Sequence, residues 1–347
     1  MIDFSNVEKQ TIRETLLQKG PFKEKLPEQL LRIFYSNKLF RLFIPKRLQG
    51  LQYALADGLQ VIEQSSALDG DFGWLVQIGA GGGYFSGFFQ EETAKNIVTK
   101  ENFVVAGSGR TSGIAAPNPT GYVVDGKWDF CSGSTYASHF TTNCMLKGTS
   151  KFTSLIILPD QLTITPDWNA YGMASTLSHT IRAKGINVPH DMTFQLDSLQ
   201  NDYGYALFYF PFEAFARASI IAVLFGCLSH LLEETERYIE KSALTKKKSK
   251  YLKNTLADTR SILADRKKVF YEATDVLWQK VVTGSQVPAT DLQSFDQRIF
   301  DINGFINEKA WQLYLGVGME ACKENTPFNK VWRDITTATQ HTLLKQY

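Results

Sequence analysis

The stretch GYVVDGKWDFCSGSTY, residues 121–136, decides how this chain is read. Its first ten residues are rich in β-branched and aromatic side chains, the composition of a strand, and the run stops in a cluster of small hydroxyl and glycine residues. Ser132 and Ser134, with the neighbouring amides, can meet the polar edge of a ligand, or can simply form the polar turn that follows a strand. The residues by themselves leave both readings open. The same texture surrounds the stretch: FVVAGSG (103–109), TTNCMLKG (141–148), SLIILPD (154–160) and IRAKGINVP (181–189) are short runs separated by Gly, Pro, Asn and Asp. An all-β module, barrel or sandwich, is expected over 102–204.

Outward from that module the period changes. Before it, apolar residues recur at three and four over 7–18, 27–36 and 51–64, and FRLFIPKRLQG (40–50) reads as a connecting loop. After it, long helical patterns are predicted over 212–242, 253–282, 291–315 and 327–345, which suggests an antiparallel four-helix bundle. The expected class is therefore α+β and multi-domain, with an N-terminal helical domain at 1–101, the central β domain at 102–204 and a C-terminal bundle at 205–347.

Composition narrows the function classes. With 37 basic and 35 acidic residues in 347, the formal net charge of +2 creates no field to gather nucleic acid or coat an anionic membrane. A small-molecule partner is expected. The four cysteines, 131, 144, 227 and 322, are too scattered for a CxxC pair and no secretory leader is evident, so they read as reduced thiols of a cytoplasmic protein. The apolar run 214–232 approaches membrane-span length but holds Arg217 and His230, and reads as a buried bundle helix. KKKSK (246–250) reads as a solvated interhelical loop, with phosphate contact as the sharper alternative.

Several motifs are weak. GAGGGY (79–84) lacks the preceding strand and GxGxxG spacing of a phosphate loop; its flanks read as buried helix, where glycine permits close packing. Five histidines (139, 179, 190, 230, 341) form no HxxxH pair, so no metal site is expected, and no serine triad emerges. On a helix continued to residue 345, Asp334 and His341 share a face roughly 10 Å apart.

Taken in order, these strings resemble the acyl-CoA dehydrogenase superfamily along nearly the whole chain. Leu39, Phe40, Pro45, Gly50, Asp69, Gly70 and Trp74 hold the places of its N-terminal pattern; GYVVDGKWDFCSGS is similar to the strand and turn that line the flavin in its monooxygenase branch; DWNAYGMASTLSHTIRAKGINVP (167–189) resembles its Gly-Met-x-x-(Ser/Thr) strand pair. NTPFNKVWRDITTATQH (325–341) resembles the Pro-x-x-x-x-Arg-Asp helix ending in His. Where dehydrogenases carry their catalytic Glu, this chain has Thr342, and His341 matches the histidine of the branch that resembles two-component flavin-dependent monooxygenases.

The resemblance implies a flavin-dependent oxidoreductase, the oxygenase component of such a system. It would use reduced FAD or FMN, delivered by a separate flavin reductase, with O2 on a small aromatic or similar substrate. His341 is implied as general base or substrate-orienting group, Ser132 as the hydroxyl near the reactive ring edge, and Trp128, Ser134 and Thr176 as further flavin contacts. Arg333 and Asp334 are implied to organise the bundle, and Trp74 with the following glycines to wall the ring. A homotetramer is implied as well. Two departures stand out: Ala174 replaces the Arg that follows Gly-Met, and the lysine-rich connection lacks the family's dinucleotide-reaching Arg. The alternatives are an acyl-CoA dehydrogenase with a displaced base, and a non-catalytic oligomeric scaffold of the same fold.

Overall fold

The computed structural model describes residues 2–18, 22 and 24–346. Among the described residues, five α-helices precede the strands: α1 (Asn6–Gln18), α2 (Glu28–Ser36), α3 (Leu55–Leu68), α4 (Gly70–Gly81) and α5 (Glu91–Val98). α4 begins where Asp69, in extended conformation, accepts a hydrogen bond from Phe72 N at 3.2 Å, a side-chain N-cap. The GAGGGY stretch closes α4 and continues as a 3-10 turn, Gly82–Gly87, in buried packing as its flanks predict.

The middle of the chain is one seven-stranded mixed sheet in the order β5-β6-β2-β1-β3-β4-β7. Its strands are β1 (Val105–Asn118), β2 (Gly121–Cys131), β3 (His139–Leu146), β4 (Phe152–Ile157), β5 (Thr163–Thr165), β6 (His179–Pro189) and β7 (Thr193–Phe194). β1 and β3 run parallel and the remaining pairs antiparallel. The expected barrel or two-sheet sandwich is thus corrected to a single open sheet. Register shifts in β1 and β2 bend it, so that inner-face residues such as Ala115, Trp128, Phe140, Leu155 and Ile181 share one core.

Four helices follow: α6 (Phe212–Lys241), α7 (Lys246–Val282), α8 (Ala289–Val317) and α9 (Pro327–Ala338). Pro211 and Pro288 stand at the N-caps of α6 and α8, and Pro327 at the start of α9, where a missing N–H costs nothing. α6 is long and apolar enough to cross a membrane, yet 83% of that apolar window is buried inside the protein. It is the helix against which α3, α4, α7, α8 and α9 pack, and one apolar cluster runs through the helices that precede and follow the sheet in sequence.

Two predicted boundaries change. KKKSK is the first turn of α7 rather than a loop, because Thr245 caps the helix by accepting from Lys248 N at 3.3 Å. Lysines at a helix start oppose the macrodipole, but Lys248 Nζ turns away to donate to Val317 O at the end of α8 (2.7 Å) and to Tyr238 Oη (3.0 Å). α9, in turn, stops at Ala338, not at residue 345.

Candidate active site

The early end of α9 changes what His341 can do. Its backbone (φ −58°, ψ 135°) has left the helix and caps a short 3-10 turn, Thr342–Leu344, so helical spacing from Asp334 no longer applies. The ring instead lies against the Trp74 indole of α4, with centroids 5.9 Å apart. His341 Nδ1 accepts from Leu343 N at 3.3 Å. A neutral imidazole accepting at Nδ1 carries its proton on Nε2. Burial holds the ring neutral by pushing its pKa down to about 4.

From Trp74 a line of hydrogen bonds enters the β2 turn. Trp74 Nε1 donates to Ser132 Oγ (3.0 Å), which meets Ser178 Oγ (2.7 Å), which meets Thr176 Oγ1 (2.7 Å), which donates to Met173 O (2.8 Å). Each hydroxyl has one proton, so the last bond sets the direction of all the others. Thr176 gives to Met173 O, Ser178 to Thr176, and Ser132 to Ser178. Ser132 is thereby held as the acceptor of the indole N–H. Ser134 Oγ donates to Leu177 O at 2.8 Å, and Gly133 N to Thr176 O at 2.9 Å, which fastens the CSGS turn to the 172–178 turn.

Backbone geometry explains why this seam forms here. A Cβ on Gly172 would lie 2.0 Å from Arg333 O, so only glycine lets the turn approach α9 so closely. Phe130, Met173 and Leu177 all have positive φ (65°, 51°, 51°), and such conformations in non-glycine residues concentrate where surrounding structure forces them. Arg333 Nη1 donates to Tyr171 O at 2.5 Å, and Asp334 Oδ1 accepts from Met173 N at 2.7 Å.

Of the predicted residues, His341, Ser132, Ser134 and Thr176 come together with Trp74. Trp128 does not. Its indole is fully buried inside the sheet, stacked where Gly113 and Gly126 leave room, and Nε1 donates to Asn143 O at 3.1 Å. It belongs to the sheet core because its strand position faces inward. Two residues escaped the sequence reading. Ser178 lies two along from Thr176, and alternate spacing of hydroxyl residues was the available signal. Gln77, three residues after Trp74 on α4 and hence on a neighbouring face, has a buried Oε1 without a partner.

These groups fit a flavin. A flat conjugated ring with a polar edge asks for an apolar wall and for polar groups not consumed by the protein. Phe130, two residues before Ser132, is 56% exposed, and Thr135 Oγ1 and Gln77 Oε1 are buried and unpartnered. Neither of two further cavities is the seam: one of about 170 Å³ borders Asp69, Lys330 and Asp334, and the other Phe40, Arg41 and Glu101.

No protein-family model matches the chain. It is 23% identical over 320 residues to an indole-3-acetate monooxygenase of Acinetobacter baumannii, spanning 88% of this chain and 81% of that protein. Among solved structures, XiaF from Streptomyces sp. in complex with FADH2 and glycerol superposes with a TM-score of 0.88 at 17% identity, over 97% of this chain and 89% of the other. TdsC from Paenibacillus sp. A11-2 with FMN and indole gives 0.82 at 17% identity, over 97% and 92%. The chain therefore shares the fold of these flavin-bound proteins over almost its whole length.

Proposed function

We propose that this chain is an enzyme, a flavin-dependent oxidoreductase, and specifically the oxygenase component of a two-component monooxygenase that uses reduced FAD or FMN and O2 on a small aromatic substrate. The observation that carries this reading is the unbroken contact from His341 through Trp74 to Ser132, Ser178 and Thr176. The likeness to an indole-3-acetate monooxygenase and to flavin-bound structures supports it and disfavours the acyl-CoA dehydrogenase alternative. Reduced flavin, when bound, supplies the electrons that activate O2.

The chain's own residues contribute position, dryness and one proton donor. Trp74 walls the site, and the directed hydroxyl line fixes Ser132 at the end of β2. His341, with its proton on Nε2, presents a hydrogen-bond donor to whatever oxygen lies beside Trp74. The implied role of general base does not suit that tautomer; the implied role of orienting group does. Trp128 takes no part.

A separate reductase would supply the flavin, in the cytoplasm where buried Cys131, Cys144 and Cys227 stay as free thiols. A homotetramer is the expected assembly, and light scattering tests it. The deciding experiment combines the purified chain with a flavin reductase, NADH, FAD or FMN, and a panel of indoles and phenols under isotopically labelled O2. Labelled hydroxylated product, and tighter binding of reduced than of oxidised flavin, is expected. Flavin reoxidation with no labelled product from any aromatic would overturn the reading.

A further inference from the structure

Behind the 172–178 turn lies a group of charges that the hydroxyl line does not use. Asp69 and Asp71 at the start of α4 and Asp334 on α9 are all buried, and each gives one oxygen to Lys330 Nζ, at 2.6, 2.9 and 2.9 Å. Their other oxygens accept backbone N–H groups: Asp69 from Phe72, Asp71 from Ser175 (3.0 Å) and Asp334 from Met173 (2.7 Å). Met173 O in turn receives Thr176 Oγ1 (2.8 Å) and Trp168 Nε1 (2.9 Å). The residue whose carbonyl anchors the hydroxyl line is thus held at its own N–H by the cluster.

We propose that Lys330, with Asp69, Asp71 and Asp334, is a positioning cluster that clamps the Met173–Ser175 backbone and so sets the hydroxyl line for flavin, releasing it when the trio of carboxylates is fully ionised. The proposal rests on the flavin reading for its ligand, but the clamp itself concerns only this chain.

The charge count gives the direction. Three carboxylates against one ammonium leave two uncompensated negative charges in a buried space, and a proton shared among the carboxylates removes one of them. Burial raises Asp71 to about 7, with Asp334 and Asp69 adding to the rise and Lys330 opposing it. Other titratable groups face the cluster from α6 and α1. α6 presents Cys227, His230 and Glu234, with Arg237 one turn on; α1 presents Arg13 and Glu14 across the neighbouring cavity. His230 and Glu234 already pair with each other (3.6 Å), and Glu234 pairs with Arg237. Lys330 is therefore the one cation bonded to the trio among the described residues.

Two variants test the clamp: Asp71→Asn, which keeps the shape of the side chain and an acceptor for the Ser175 N–H while removing one negative charge, and Lys330→Met. Hydrogen exchange over 172–178, corrected for intrinsic pH dependence, is measured at pH 6 and 8 alongside FAD and FMN titrations. In the wild type, exchange in this segment speeds up and the flavin Kd rises severalfold from pH 6 to 8. Asp71→Asn keeps slow exchange and tight binding at both pH values, and Lys330→Met exchanges fast at both, while α8 is unchanged in every protein. An Asp71→Asn protein with the wild-type pH dependence overturns the clamp, and this variant decides the matter if Lys330→Met does not fold. Exchange that behaves as described, in a protein that binds neither flavin, keeps the clamp and defeats the flavin reading; flavin binding without the exchange difference does the reverse.

Discussion

At the scale of single residues, His341 and Ser132 do different things to the same site. Removing one well-aimed donor from a reaction centre costs on the order of 100-fold in rate, so His341→Ala is expected to lower product formed by that order while flavin still binds. His341→Asn, whose amide can donate, restores part of it, and product per NADH consumed checks both. Because the ring stays neutral down to about pH 4, activity should show no inflection near pH 6.5 that disappears with His341→Asn. Ser132→Ala leaves the buried Trp74 N–H without an acceptor. Such a loss costs about 1–3 kcal/mol, and both the melting temperature and the flavin Kd should worsen. Rates that are unchanged in His341→Ala would remove the ring from the chemistry.

Elements decide which aromatic residues are available. The alternation along β2 turns Trp128 into the sheet, over Gly126, whereas the strand's end delivers Ser132 to the seam. Trp128→Phe is expected to cost about 1–3 kcal/mol through the lost volume and the unpaired Asn143 carbonyl, with the flavin Kd unchanged; chemical denaturation and a flavin titration separate the two effects. Lost flavin affinity at unchanged stability would instead place Trp128 at the ligand. The same reasoning applies to α7. Lys248→Met removes the bond to the α8 terminus and should lower stability by about 1 kcal/mol without affecting activity, measured by thermal melts and turnover.

Across the whole molecule, α4, the 172–178 turn and α9 meet in one buried charge cluster, so stability and site geometry depend on pH together. The folded pKa of Asp71 is raised above its ordinary 3.8, so the native state binds the extra proton between there and about 7. Stability from this group is therefore full at low pH and lost as pH rises through 7. His341 acts oppositely: its folded pKa of about 4 lies below the ordinary 6.5, so its contribution rises with pH between those values and is flat above. The two offset each other below pH 6.5. Above it, a fall in melting temperature of about 1–3 °C by pH 8 is expected for the wild type and should vanish in Asp71→Asn.

The helical and strand textures, and most element positions, were legible because periodicity and Gly or Pro punctuation are local properties of the chain. Ser132, Ser134, Thr176 and His341 could be named because their strings have a recognisable order. Where α9 ends was not legible. ITTATQH holds no Gly or Pro to mark a stop, yet the helix ends at Ala338 and the His341 ring lies against Trp74. The inward facing of Trp128, the seat of Lys248 at the end of α8 and the contact of the His341 ring with Trp74 were hidden because no local pattern encodes them. Each of these three depends on a partner distant in sequence: Gly113 and Asn143 for Trp128, Val317 O for Lys248, and Trp74 for His341. Sequence determined which residues could do chemistry and which segments were helix or strand. Tertiary packing alone decided which of them meet, because burial, charge balance and hydrogen-bond direction are properties of neighbours in space.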